Sequence, residues 1–346
     1  MVPESRGLQD EFPPCRAPAL LKNPGAMPTD AILHATRQYL GIDPTVSVTL
    51  TPIKKGASGR TIVRVQTPGK DPFIGIHWTD ERPDSDNFLP VAKFLKSTKL
   101  NVPEIYYEIP HRRVALVEDL GDTDLFSMKG RPFEDREPYY RSALSQIDKL
   151  FYSKGPKDFE LMPPFDESLY RWEQEYFFDH MVEGLLGMDA AELRDSSEFE
   201  QLAKRLGSGA KHLVHRDFQS QNLLLKDGKA WWIDFQGMRR GRQEYDIASL
   251  VYDPYMDHSA EEREEILAIW EDIAEDRPEE TIFRQCASQR LMQAMGAFGN
   301  IIRNKGDDWY RQHVPAAARL LAEVTAGTPL EKPLAPVLEK AQEFAP

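Results

Sequence analysis

Cysteine is nearly missing from this chain of 346 residues: Cys15 and Cys286 are the only two. Two thiols supply neither a disulfide framework nor a thiolate metal site, and their scarcity suits a reducing, cytoplasmic setting. Positive charge is also short, 43 Lys and Arg against 56 Asp and Glu, which gives a formal net charge of −13. Such a field repels a polyanion, so nucleic acid is not an expected partner. Long apolar runs are lacking too. None approaches the roughly 18 residues that a membrane span requires, and residues 1–27 hold no secretory pattern, so no membrane association is expected. What is present, 41% hydrophobic and 29% charged residues, is the composition of a soluble globular protein at a length that favours two lobes.

Residues 1–27 mix proline with charge and read as a disordered arm. After them "PTDAILHATRQYL" has helical spacing, with Thr29 or Asp30 as its cap. The segments "SVTLTPI", "TIVRVQT" and "FIGIHW" alternate as strands do, "DNFLPVAKFLKST" is an amphipathic helix, and "VPEIYYEIP" and "RVALVEDL" are two further strands. The predicted order is β-β-β-α-β-β. From "EPYYRSALSQIDKLFYS" onward the pattern is mainly helical, and "LGDTDLFSMKGRP" between the two parts is the candidate hinge. These readings divide the chain into the arm at 1–27, an N-lobe at 28–119, a helical C-lobe at 120–326, and a proline-containing, loosely packed tail at 327–346. The fold class is α+β, a small β-rich lobe beside a larger helical one.

The densest chemistry lies between Leu213 and Gly237, "LVHRDFQSQNLLLKDGKAWWIDFQG". Two short strands around a Lys-Asp-Gly-Lys turn form a hairpin, which brings Asp217, Asn222 and Asp234 to one end. Asn222 and Asp234 offer the oxygens that Mg²⁺ takes alongside water and phosphates. Asp217 is then left to accept the proton of an attacking hydroxyl.

His215-Arg216-Asp217 with Asn222, followed by Asp234-Phe235-Gln236-Gly237, resembles the catalytic and metal-binding loops of the protein-kinase-like superfamily. The helical C-lobe, "ALVEDLGD" and "YDIASLVYDPY" resemble its aminoglycoside phosphotransferase and choline kinase branch. Within that branch, "HRDFQSQNLL", "RWEQEYFFDHMVEGLLG", "IDFQGMRRGRQEYDIASLVYDPY" and "SQRLMQAMGAFGNIIRNKGDDWY" are similar to stretches of the bacterial anomeric sugar kinases that act on N-acetylmuramate and N-acetylglucosamine. The resemblance implies a two-lobed protein-kinase-like fold, ATP and Mg²⁺ as cofactors, and a sugar as the small-molecule partner. It further implies Asp217 as the catalytic base and Asn222 and Asp234 as metal ligands. Ser58 and Gly59 of "KKGASGR" would cover phosphates, and Val117, Glu118 and Asp119 would form the adenine-side connection, with backbone groups pairing with the base.

Gln219, Glu173 and Arg242 are the candidates for holding the sugar. His215 is expected to bond the metal-loop backbone, and Asp246 to cap a helix and steady the catalytic loop. One departure stands out: "FIGIHWTD" has His77 and no Lys where the superfamily carries its phosphate-holding lysine. That gap leaves a nucleotide-binding scaffold as an alternative to an enzyme, while the net charge of −13, which permits an acidic cleft, keeps an aminoglycoside, choline or another small alcohol as alternative acceptors.

Overall fold

The structure, a computed structural model, describes residues 27–53, 59–209, 211–274 and 278–345. The expected arm thus lies outside the described residues except for Met27. Helix α1 (Pro28–Leu40) begins before the expected caps. Pro28 occupies the first helical position, where a missing N–H costs nothing, and Asp30 accepts the Met27 N–H at 3.3 Å.

Strands β1 (Thr49–Pro52), β2 (Thr61–Gln66) and β3 (Phe73–His77), helix α2 (Phe88–Ser97), and strands β4 (Ile105–Ile109) and β5 (Val114–Glu118) follow in the predicted order. The strands form one antiparallel sheet in the order β1-β2-β3-β5-β4. Alternation gives the sheet two apolar faces. Val63, Val65, Phe73 and Leu116 pack with Ile32 and Ala35 of α1. Gly75 belongs to that face because a Cβ there would stand 2.4 Å from Ile32 Cγ2. Ile62, Ile74, Ile76, Ala115 and Val117 point the other way and join the main core with α2. That second face roofs the cleft between the lobes.

The larger lobe contains α3 (Phe133–Phe151), α4 (Glu167–Phe177), α5 (Ala191–Arg194) and α6 (Ser197–Gly207). Strands β6 (His212–Val214), β7 (Leu223–Lys226), β8 (Lys229–Trp232) and β9 (Arg239–Gly241) come next, then α7 (Gln243–Val251), α8 (Ala260–Ala274), α9 (Glu280–Asn300), α10 (Val314–Thr325) and α11 (Glu331–Gln342). Helix α9 buries Phe283, Cys286, Leu291, Met295 and Phe298 around its circumference, as a helix at the centre of a bundle must. Helices α4 and α9 each run on into a π-helical turn, Phe178–Leu185 and Ile301–Lys305.

Two expectations change. The candidate hinge is pinned to the hairpin: Leu125 N–H donates to the Leu223 carbonyl at 2.9 Å, and Leu225 N–H to the Thr123 carbonyl at 2.8 Å. The tail is not loose, because α11 buries Leu334, Val337, Leu338 and Ala341. Among the described residues no helix is long and apolar enough to cross a membrane.

Candidate active site

Strand β6 delivers the chain to His215-Arg216-Asp217, and a single carboxylate fixes the turn. Asp246, fully buried in α7, accepts the N–H of His215 at 2.6 Å and of Arg216 at 2.9 Å. These bonds hold Arg216 at a φ of +81°, a conformation unfavourable for a residue with a Cβ. Asp246 steadies the loop as expected but does not cap its helix, since Arg242 stands at the capping position. Burial pushes the Asp246 carboxyl up to about 7, against the opposing effect of its two backbone bonds.

His215 is buried, and burial lowers its affinity for a proton. Its Nε2–H donates to the Ile233 carbonyl at 3.1 Å, which ties the Asp217 loop to the residue preceding Asp234. That is the structural role expected of it. Asn222 bridges the same two segments. Its Nδ2 donates to the Asp217 carbonyl at 2.9 Å, and its own carbonyl accepts from Ile233 N–H at 3.0 Å. With the amide nitrogen committed, Oδ1 is the end of that side chain with ligand capacity. The β7–β8 turn closes the hairpin with Asp227 and Gly228 both at positive φ, the geometry of a two-residue hairpin loop.

The Asp217 side chain is 26% exposed, so it is open to an acceptor. Arg290 of α9 places Nη2 at 3.4 Å from its carboxylate, and Arg216 Nη1 stands at 3.8 Å. Burial favours the neutral acid, but Arg216 and Arg290 outweigh it and hold Asp217 below the usual carboxylate range. Arg290 also donates to Gln219 Oε1 at 2.7 Å and to Ser249 Oγ at 3.0 Å. Gln219 is therefore brought beside Asp217, while Ser220 N–H is held by buried Asp253 at 2.7 Å.

Asp234 takes the left-handed conformation, φ +61°, which Asp tolerates better than most residues. Its carboxylate is 35% exposed and ion-paired with Arg60, the residue before β2. Gln236 Nε2 donates to the same carboxylate at 3.0 Å and Gln236 Oε1 accepts from Arg60 at 3.1 Å. A guanidinium already seated on Asp234 shows that the position attracts a cation. The backbone bond between Asn222 and Ile233 joins the segment of Asn222 to the residue before Asp234, and an amide oxygen with a carboxylate is a donor set that suits an ion completing its shell with water and phosphate oxygens.

Other sequence candidates are placed differently. Ser58 lies outside the described residues, and Gly59 stands at the root of that tip with φ +67°. Val117 is buried in β5. The Glu118 carboxylate binds Lys226 at 2.6 Å, its N–H donates to the Glu104 carbonyl at 2.8 Å, and Asp119 pairs with Arg64 at 2.5 Å. Both acidic side chains are thus engaged in ion pairs.

Glu173 is corrected. It has no exposed surface and accepts from Tyr245 and Gln289 inside the lobe, so it holds α4 to α7 and α9 rather than a sugar. Arg242 is corrected as well, since its guanidinium donates to the Leu206 and Arg205 carbonyls at the end of α6. Sequence reasoning missed Arg60, Arg290 and Asp253. The signal for Arg290 was an arginine amid the apolar positions of α9, whereas Arg60 and Asp253 gave none, because their partners are far away in the chain.

The architecture has known counterparts. A choline/ethanolamine kinase family protein from Mesorhizobium loti superimposes with a TM-score of 0.58 at 13% identity, over 90% of this chain and 99% of that one. ADP-bound aminoglycoside phosphotransferase APH(2'')-Ib gives 0.56 at 13%, over 86% and 99%. At these identities the likeness establishes the two-lobed kinase-like fold. In sequence the chain is similar to the N-acetylmuramate/N-acetylglucosamine kinase of Pseudomonas aeruginosa, 25% identical over 295 residues that make up 81% of this chain and 85% of the relative. It is equally similar to the Neisseria meningitidis protein of that name, 25% identical over 264 residues, 71% and 77% of the two chains. The sequence profile of the phosphotransferase enzyme family matches residues 49–281, from β1 through the Asp217 and Asp234 loops into α9. Fold, loop geometry and profile agree, and the chain belongs to the phosphotransferase enzyme family.

Proposed function

We propose that this protein transfers the γ-phosphoryl group of ATP to a sugar hydroxyl, most concretely the anomeric C1 hydroxyl of N-acetylmuramate or N-acetylglucosamine. The observation that carries the acceptor class is the charge around Asp217. Arg290 and Arg216 flank its carboxylate, and the field of Arg82, from the loop after β3, also reaches it. Lys305, which ends the π-helical turn after α9, lies within the field of Arg82. A neutral or acidic sugar suits these surroundings, while a polycationic aminoglycoside or choline would meet guanidiniums where it needs carboxylates. The names of the two bacterial relatives point the same way.

In this reading the ionised Asp217 carboxylate accepts a hydrogen bond from the acceptor hydroxyl, aims its oxygen at the γ-phosphorus and takes the proton. The new O–P bond forms as the bond from that phosphorus to the β–γ bridging oxygen breaks, and ADP leaves. Arg290 and Gln219 keep Asp217 in place. Asn222 Oδ1 and the Asp234 carboxylate would hold Mg²⁺, which supplies charge neutralisation on the phosphate oxygens. Backbone groups of the connection at 117–119 other than the Glu118 N–H, which the Glu104 carbonyl already takes, would hold the adenine.

The test is a coupled assay with ATP and Mg²⁺ against both N-acetyl sugars, their 1-O-methyl glycosides, kanamycin and choline. Turnover of an N-acetyl sugar but not of its methyl glycoside is expected, and Asp217→Asn lowers kcat by about 10²- to 10⁴-fold. Turnover of kanamycin or choline with none of the sugars overturns the acceptor, and an undiminished Asp217→Asn variant overturns the mechanism.

A further inference from the structure

The cleft roof lacks the lysine expected on its third strand: Ile74 and Ile76 are the β3 residues on that face, and α2, "FLPVAKFLKS", has no acid with which such a lysine would pair. Phosphoryl transfer still needs a cation on the phosphates. Alternation along β2, continued to the residue before it, puts two arginines on the cleft face, Arg64 in the strand and Arg60 at its entry. Arg64 is occupied at the connection between the lobes, bonded to both Asp119 and Asp122. Arg60 lies at the opposite end. Its side chain is 6% exposed, its guanidinium is 6.0 Å from the centre of the Phe88 ring, and Phe88 in turn stacks on Phe235 of the metal loop at 5.7 Å. Its polar partners, Asp234 and Gln236, both belong to that loop.

We propose that Arg60 is the phosphate-binding cation of this enzyme, and that its ion pair with Asp234 is the resting position from which nucleotide draws it. This rests on the phosphotransferase reading. Asp234 serves two cations in turn. A divalent ion arriving alone must displace Arg60 or sit beside its positive charge, and at such separations like charges repel strongly in a partly buried site. A nucleotide triphosphate removes the conflict, because its anionic oxygens lie between the two cations and attract both. Arg60 therefore weakens metal binding in the absence of nucleotide and strengthens it in its presence, which is a positive coupling between the two ligands.

The test uses the full chain and no acceptor. Binding of Mn²⁺ alone, followed by its electron paramagnetic resonance signal, and binding of ATP in excess Mg²⁺, followed by calorimetry, are compared for wild type, Arg60→Met and Arg60→Lys. Thermal melting confirms that each variant is folded. Arg60→Met is expected to bind Mn²⁺ alone several-fold more tightly and ATP at least about tenfold more weakly, with Arg60→Lys between it and wild type. A purely structural arginine would weaken both ligands together, and that result overturns the proposal, as does unchanged ATP affinity. If wild type itself binds no nucleotide, the phosphotransferase reading fails along with it. If wild type binds nucleotide but phosphorylates no sugar, only the acceptor assignment fails.

Discussion

At the scale of single residues, the site depends on carboxylates kept in different states by their surroundings. Asp217 is partly exposed and Asp246 fully buried, and both lose hydration on folding, yet two arginines hold the first below the usual carboxylate range while burial pushes the second up to about 7. For Asp246 the folded state favours the proton more than the unfolded chain does. Its contribution to stability is then fully present below the unfolded value of about 3.9 and is lost as pH rises through about 7. Asp246→Asn, which cannot ionise, is expected to flatten the fall in melting temperature between about pH 4 and pH 7 relative to wild type. Parallel pH profiles for the two proteins would show that Asp246 is ionised throughout. For Asp217 the sign is opposite, so its contribution is present above its unfolded value and lost only as pH falls below the ordinary carboxylate range. The general base proposed for this site is accordingly ionised at neutral pH without any upward tuning.

At the scale of elements, the junction of α9 with the π-helical turn Phe178–Leu185 is packed backbone against backbone. A Cβ at Gly299 would stand 2.3 Å from the His180 carbonyl oxygen and 2.6 Å from its carbon, neither of which can swing aside as a side chain would. Gly299→Ala is expected to cost about 3 kcal/mol, the upper part of the usual overpacking range, read as a lower midpoint in urea; an unchanged midpoint would mean the two segments can separate without loss. This contact was not legible in the sequence, because "AFGN" states that Gly299 is small and nothing about what approaches it. What was legible shares one property: the pattern and its physical cause lie close together in the chain. The alternation of β1 to β5, the Asp-Gly turn of the β7–β8 hairpin and the Asp217, Asn222, Asp234 spacing are all of that kind. The tail failed for a different reason. Its prolines read as breakers, yet Pro333 falls in the first turn of α11, where the N–H has no helical partner, so only Pro336 forfeits a bond. The spacing of Leu334, Val337, Leu338 and Ala341 was there to be read beneath them.

At the scale of the whole molecule, α11 packs against α10 and α5 of the C-lobe. Ending the chain after Ala326 would remove Leu334, Val337 and Leu338 from the core, and these three side chains together contribute about 6 kcal/mol as an upper bound, at roughly 2 kcal/mol each. The truncated protein is expected to melt at a clearly lower temperature while whatever remains folded keeps its KM for ATP; a raised KM with unchanged melting would place the tail in the site's support instead. Helix α9 has a further consequence, which concerns the order in which the protein is made. The sheet of the N-lobe is assembled from neighbouring segments between Thr49 and Glu118, so a nascent chain can complete it early. Arg290, which braces Asp217, is synthesised long after the loop it braces, and the α9 core residues arrive with it. A ribosome that stops before α9 therefore releases a folded sheet with Asp217 unsupported, and the brace forms only once α9 has been made.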